Sequence, residues 1–147
     1  MKNIPDREKK IIHNCIAGLC DESLWTSWQP LEKSWLGKQL PEVPGLYRIR
    51  LLDEAPHMTY IGQSSNLKDR LAGLRQVYGD QMPYKAPHTV GPALWAWRQK
   101  YPQAYLEVAV APVPELPTTL RLGLECLALA WYRQQNQQSP LCQFGRM

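Results

Sequence analysis

Two tyrosines thirteen residues apart could do chemistry together. Tyr47 ends the tripeptide Gly45-Leu46-Tyr47, and Tyr60 begins Tyr60-Ile61-Gly62. Each tripeptide reads as part of a short strand, and a basic helix carrying Arg70 and Arg75 follows directly. A phenol beside a fixed guanidinium suits phosphodiester chemistry. The phenol can exchange a proton, and the planar cation can hold a phosphate through a fork of N–H donors. A carboxylate also stands on an otherwise apolar C-terminal helix, at Glu125. Burying it is costly unless it is paired or bound to a metal.

The hairpin that must position the tyrosines is legible from alternation. From Leu46 to Leu52, Tyr47, Ile49 and Leu51 take one face, and Leu46, Arg48 and Arg50 the other. Asp53 to His57 is a polar turn, and Met58 to Gln63 returns as the second strand. Ser64-Ser65-Asn66 supplies N-cap chemistry for the next helix. Leu67, Leu71, Leu74 and Tyr78 form its apolar stripe, which ends at Gly79-Asp80. Arg70 falls at the edge of that stripe, whereas Lys68 and Arg75 are expected to face outward. After a loop containing Lys85 and His88, Gly91-Pro92 opens a short helix. Tyr105 to Val110 alternates as a third strand. Thr118 or Thr119 is placed to cap the last helix, with Leu124 and Ala128 inward and Cys126 as a small core residue. The tail from Gln134 to Met147 reads as polar and turn-like.

Residues 1–44 differ from the rest. Ile11, Ile12, Cys15, Ile16 and Leu19 recur at helical spacing, and Trp25, Trp28 and Trp35 follow. The simplest expectation is an arm that packs its tryptophans on the main domain. The net charge of +4 lies wholly outside this arm. Residues 1–44 hold six Lys/Arg and six Asp/Glu, whereas residues 45–147 hold eleven and seven. Such an excess favours a polyanionic partner. No apolar run reaches the roughly 20 residues of a membrane span. The N-terminus lacks the layout of a signal peptide, which predicts a cytoplasmic chain with reduced cysteines. His13, Cys15 and Cys20 lack the second half of a zinc motif.

The two tripeptides resemble the signature of the GIY-YIG nucleases. The order strand, strand, helix, helix, strand, helix is similar to that family over residues 43–146. Leucine replaces the isoleucine of the first tripeptide, and the second matches without change. The resemblance implies a small α+β domain at residues 45–147, with a three-stranded antiparallel central sheet flanked by helices, after a helical Trp-rich extension at residues 1–44. It implies an endonuclease that hydrolyses DNA. Arg70 corresponds to the family's helical arginine, and Glu125 to its metal-binding glutamate, for Mg²⁺ or Mn²⁺.

Two positions depart from the family pattern. Leu74 stands where several branches carry a histidine, a role that is either empty here or filled by His88 or His57 from a loop. Gln143 stands where many members carry an asparagine. In this scheme Tyr47 is the general base and Tyr60 its orienting partner. Arg70 holds the scissile phosphate, and Glu125 holds a metal whose coordination the substrate and water must complete. Lys68, Arg75, Lys85 and Arg98 would track the DNA backbone. Two settings fit: a restriction-type enzyme that reads bases with its arm and loops, with a homodimer as one route to cutting both strands, or a small stand-alone nuclease of repair or mobile-element traffic. Other classes remain: a module of the same fold that binds nucleic acid without cutting it, or an interaction module built on the Trp-rich arm.

Overall fold

The computed structural model describes residues 3–32, 40–83 and 90–143. Its frame is an antiparallel sheet of β1 (Gln29–Pro30), β2 (Gly45–Leu52), β3 (Pro56–Ser64) and β4 (Tyr105–Pro112), in the order β1-β4-β2-β3. Helix α1 (Asp6–Cys20) precedes the sheet. Helix α2 (Leu67–Leu74) and α3 (Val90–Lys100) lie between β3 and β4 in the chain, and α4 (Thr118–Asn136) follows β4. No helix among the described residues is long and apolar enough to cross a membrane.

The sheet has four strands rather than the expected three. The extra strand, β1, comes from the Trp-rich arm and is only two residues long. Gln29 pairs with Val108 and Pro30 with Glu107. Flanking bonds extend the attachment, with Thr26 N–H donating to Val110 at 2.8 Å and Leu31 N–H to Leu106 at 2.9 Å. The arm is therefore stitched to the sheet by its backbone as well as its side chains.

Alternation along β2 splits the core into two layers, as its sequence requires. Tyr47, Ile49 and Leu51 pack with Leu67, Leu71, Leu74 and Leu94 on one face. Leu46, Ile61 and Ala111 pack with Leu19, Leu124 and Ala128 on the other. Helices thus cover both faces of the sheet.

Arg48 and Arg50 emerge on the second face, where the arm's tryptophans meet them. The Arg48 guanidinium lies 4.4 Å from the Trp25 ring centre and 4.8 Å from that of Trp28. Arg50 lies 4.3 Å from Trp28. Each cation also has a carboxylate, Glu22 at 2.7 Å for Arg48 and Glu107 at 2.6 Å for Arg50. Cation–π contact and ion pairing together fasten the arm. Glu22 sits in a turn with φ 70°, a left-handed conformation that non-glycine residues rarely adopt.

Several local expectations change. The helix after β3 is α-helical only to Leu74 and continues as a 3₁₀ turn over Arg75–Tyr78. Helix α4 runs on to Asn136, past the start of the expected polar tail. It begins after Pro117 with no side-chain cap, and its Cys126 is exposed rather than in the core. Arg75 is half-buried, and its Nε donates to the Leu31 carbonyl at 3.2 Å.

Gly45 sits where no side chain fits. A Cβ there would lie 2.6 Å from the Ala111 carbonyl oxygen and 2.7 Å from Leu67 Cδ1. The first obstacle is backbone of the neighbouring strand, which cannot turn aside. Gly45→Ala is expected to lower unfolding free energy by about 1–3 kcal/mol. The change should read as a lower urea midpoint with an unchanged slope.

Candidate active site

Four elements meet at the open edge of the hairpin. The β2–β3 register sets Tyr47 opposite Gly62 and Ile49 opposite Tyr60. Tyr47 and Tyr60 are thus diagonal neighbours on one face of the sheet. Their ring centres lie 5.9 Å apart at an interplanar angle of 33°, and their hydroxyls share a hydrogen bond. Gly62 makes this possible. A Cβ on it would lie 2.7 Å from Tyr47 Oη and 2.5 Å from Tyr60 Cε1. The glycine leaves the space that the two phenols occupy.

The strand that carries Tyr60 is held from outside. The pairing shifts between Ile49 and Arg50, which leaves Thr59 as an extra residue in β3. The buried Thr59 hydroxyl donates to the Ile49 carbonyl at 2.8 Å. The C-terminal segment then closes the edge. Leu141 N–H donates to Met58 at 3.0 Å, and Cys142 N–H to Thr59 at 2.7 Å. Ile61 N–H donates to Gln143 Oε1 at 3.1 Å. The Gln143 side-chain oxygen is therefore engaged with the backbone between Tyr60 and Gly62. Cys142 is buried, and desolvation pushes its thiol up to about 11, which leaves it a poor nucleophile.

Arg70 enters from α2, whose first turn is capped by Asn66 Oδ1 accepting from Asp69 N–H at 3.2 Å. The Arg70 charge acts on Tyr47, Tyr60 and Glu125 alike. Among the described residues it forms no ion pair within 4.0 Å. Glu125 enters from α4 and accepts the Gln63 N–H, so α4 and β3 together aim it at the tyrosines. The sequence brought forward Tyr47, Tyr60, Arg70 and Glu125, and the fold gathers all four.

Their titration follows from burial. Tyr47 is fully buried, and desolvation raises it well above 10, with the Tyr60 and Glu125 charges pushing the same way. Tyr60 is raised by desolvation and by Glu125, whereas its hydrogen bond from Tyr47 and the Arg70 charge pull it down. Of the pair, Tyr60 is the less buried phenol and the easier to ionise. Glu125 is raised by desolvation, against the Gln63 N–H and Arg70.

The other expected site residues lie elsewhere. Lys68 is paired with Glu42 at 2.8 Å. Arg98 donates to the Val77 carbonyl at 2.9 Å and lies over the Tyr78 ring. Arg75 holds the arm, as described. His57 Nε2 lies 3.2 Å from Asp53 in the hairpin turn. Leu74 is buried in the core. Lys85, His88 and Trp35 fall outside the described residues.

Helical spacing places Arg121, one turn before Glu125, to pair with it, but among the described residues no ion pair joins them within 4.0 Å. Arg121 on α4 is 4% exposed, and its Nε donates to Gln63 Oε1 at 2.7 Å. Helical spacing carries the signal, since Arg121, Leu124, Glu125 and Ala128 share one stripe.

As a metal ligand Glu125 fits a thin site. Among the described residues no three His, Cys, Asp or Glu side chains cluster. A desolvated carboxylate with one N–H partner retains acceptor capacity for a hard cation, whose remaining ligands would have to be phosphate and water. Compared with known protein families, curated proteins and solved structures, the chain matches none.

The raised Glu125 pKa has a consequence for stability. The folded state holds this proton more tightly than the unfolded chain. That contribution is fully present below the ordinary value of 4.5 and is lost as pH rises through the folded value. Without metal, Glu125→Gln should therefore raise the melting temperature at alkaline pH, and the difference should close on acidification below 4.5. Thermal melts in EDTA across that range test this, and a variant less stable than wild type at alkaline pH would contradict it.

Proposed function

We propose that this chain is a metal-dependent endonuclease that hydrolyses DNA phosphodiester bonds, of the kind the GIY-YIG resemblance implies. The observation that carries the reading is the convergence of Tyr47, Tyr60, Arg70 and Glu125 from β2, β3, α2 and α4, within reach of one another's charges. Structural tyrosines and surface charges would not need an arginine without a carboxylate partner beside a desolvated glutamate. That arrangement leaves room in its electrostatics for an anion and a cation from outside.

Arg70 would hold the scissile phosphate through its N–H fork and neutralise charge that develops there. Unequal burial favours Tyr60 as the general base, the reverse of the expectation from sequence. Tyr60 is the more accessible phenol, so desolvation penalises its phenolate less than that of Tyr47. Tyr60 Oη would take the proton from the attacking water. Tyr47, sealed in the core, would orient Tyr60 and donate to it without touching substrate. Gln143 would act through the backbone, holding the edge on which Tyr60 stands. Bound at Glu125, a divalent cation such as Mg²⁺ or Mn²⁺ would supply Lewis-acid charge for the phosphate.

Lys68, Arg75 and Arg98 already have partners within the chain, so the DNA backbone would meet them only by displacing those partners. This favours a footprint centred on the catalytic edge rather than on α2 and α3.

Nicking of supercoiled plasmid in Mg²⁺ or Mn²⁺ tests the reading. Tyr60→Phe, Arg70→Ala and Glu125→Ala should each lower the rate by about 10²-fold or more. Tyr47→Phe removes one hydrogen bond and should cost about 2- to 10-fold. A deeper loss in Tyr47→Phe than in Tyr60→Phe would return the base role to Tyr47. Salt-sensitive DNA binding without nicking would replace hydrolysis by binding alone.

A further inference from the structure

Helix α4 is apolar on two sides. Leu124 and Ala128 pack it onto the sheet. On the far side Thr119, Leu122, Cys126, Leu129 and Arg133 follow at spacings of three, four, three and four, the spacing at which paired helices interlock. Leu122 is 43% exposed. Thr119, Cys126 and Arg133 are exposed as well, and Leu129 is half-buried. The two charges between Thr119 and Arg133 turn elsewhere. Arg121 is buried, and Glu125 accepts the Gln63 N–H of β3. In a chain whose residues are 20% charged, this charge-free stretch matches the depletion that marks the core of a protein interface.

Beside this face a groove of about 200 Å³ opens between α1 and α4. Ile12, Ile16, Leu120 and Leu127 line it, and the space where a Gly123 Cβ would stand is open. The face thus offers both a knob, Leu122, and a hole beside it.

The charges at its two ends choose the occupant. Arg133 stands in the last turn of α4, and Glu115 in the turn that precedes the helix. Glu115 is held by an exposed pair with Arg7 at 3.5 Å, and such surface pairs are worth little. A two-fold axis sets residue i against j and j against i. With antiparallel helices and the axis beside residue 124, Leu122 meets Cys126 of the partner and Thr119 meets the partner's Leu129. Glu115 then meets the partner's Arg133, so an opposite-charge pair closes each end of the apolar seam. Parallel helices would instead set Arg133 against Arg133 and Glu115 against Glu115. The antiparallel order is the one in which this face complements itself.

We propose that the outer face of α4 is the contact between two copies of this chain, joined antiparallel about an axis beside residue 124. The contact is independent of the nuclease reading. Glu125 precedes Cys126 and so turns about 100° away from it, toward β3, which keeps the candidate metal ligand out of the seam.

Sedimentation velocity over a series of loading concentrations tests this. The wild type should pass from monomer to dimer as concentration rises. Leu122→Lys should stay monomeric, yet melt as dilute protein at the wild-type temperature, because it changes an exposed residue. Glu115→Arg and Arg133→Glu should each weaken association by about 3- to 10-fold, and the double variant should recover it. Leu122→Cys should form a covalent dimer on mild oxidation through the partner's Cys126, and adding Cys126→Ser should abolish that dimer. Within one helix the two thiols stand too far apart to bridge. A wild type that stays monomeric throughout overturns the proposal and leaves the face to a different partner or to water. A dimer that survives Leu122→Lys overturns it too, since another surface then joins the copies. Charge swaps that fail to rescue each other, or a wild type that cross-links through Cys126 alone, overturn the antiparallel order.

Discussion

The close approach of Tyr47 to Gly62 governs this structure. Two strands carry phenols on one face, and the residue opposite Tyr47 must have no side chain for those phenols to meet. A second glycine, Gly45, lets the start of β2 press against β4 and α2. The two tripeptides thus have a steric meaning apart from any chemistry. Each couples a tyrosine to a glycine two residues away on the same face of the sheet, and Gly62 makes the room that the two tyrosines use. Once this register is set, a slip of one residue would turn both phenols to the other layer of the core.

Around that contact the protein tolerates unfavourable electrostatics. Tyr47 and Glu125 are desolvated, and among the described residues Arg70 forms no ion pair within 4.0 Å. On the opposite face the treatment of charge is different. Arg48 and Arg50 each have a carboxylate and a tryptophan ring. These paired arginines fasten the arm.

The sheet's margins are also closed by the chain's own segments. The arm lies along β4 through Gln29 and Pro30, and the segment Leu141 to Gln143 lies along β3. Open strand edges invite pairing with other chains, and covering them is a common remedy. Here the cover on β3 also fixes the backbone on both sides of Tyr60, so the end of the sequence acts on a site that begins eighty residues earlier.

Much of this was legible in one dimension. Helical periodicity fixed α1, α2 and α4, alternation fixed the hairpin, and residue chemistry singled out Tyr47, Tyr60, Arg70 and Glu125. Those signals are local, because they depend on side chains that repeat with the period of their own element. The tertiary structure alone decided the rest. A two-residue strand has no period to read, so β1 became visible only through its partner β4. Arg75 and Arg98 looked like solvated charges because their acceptors, the carbonyls of Leu31 and Val77, are set by packing. The unequal burial of Tyr47 and Tyr60 is likewise a product of packing that sequence spacing cannot express. Arg121 carried a helical signal for a pair with Glu125, but its acceptor, the Gln63 side chain, is set by packing.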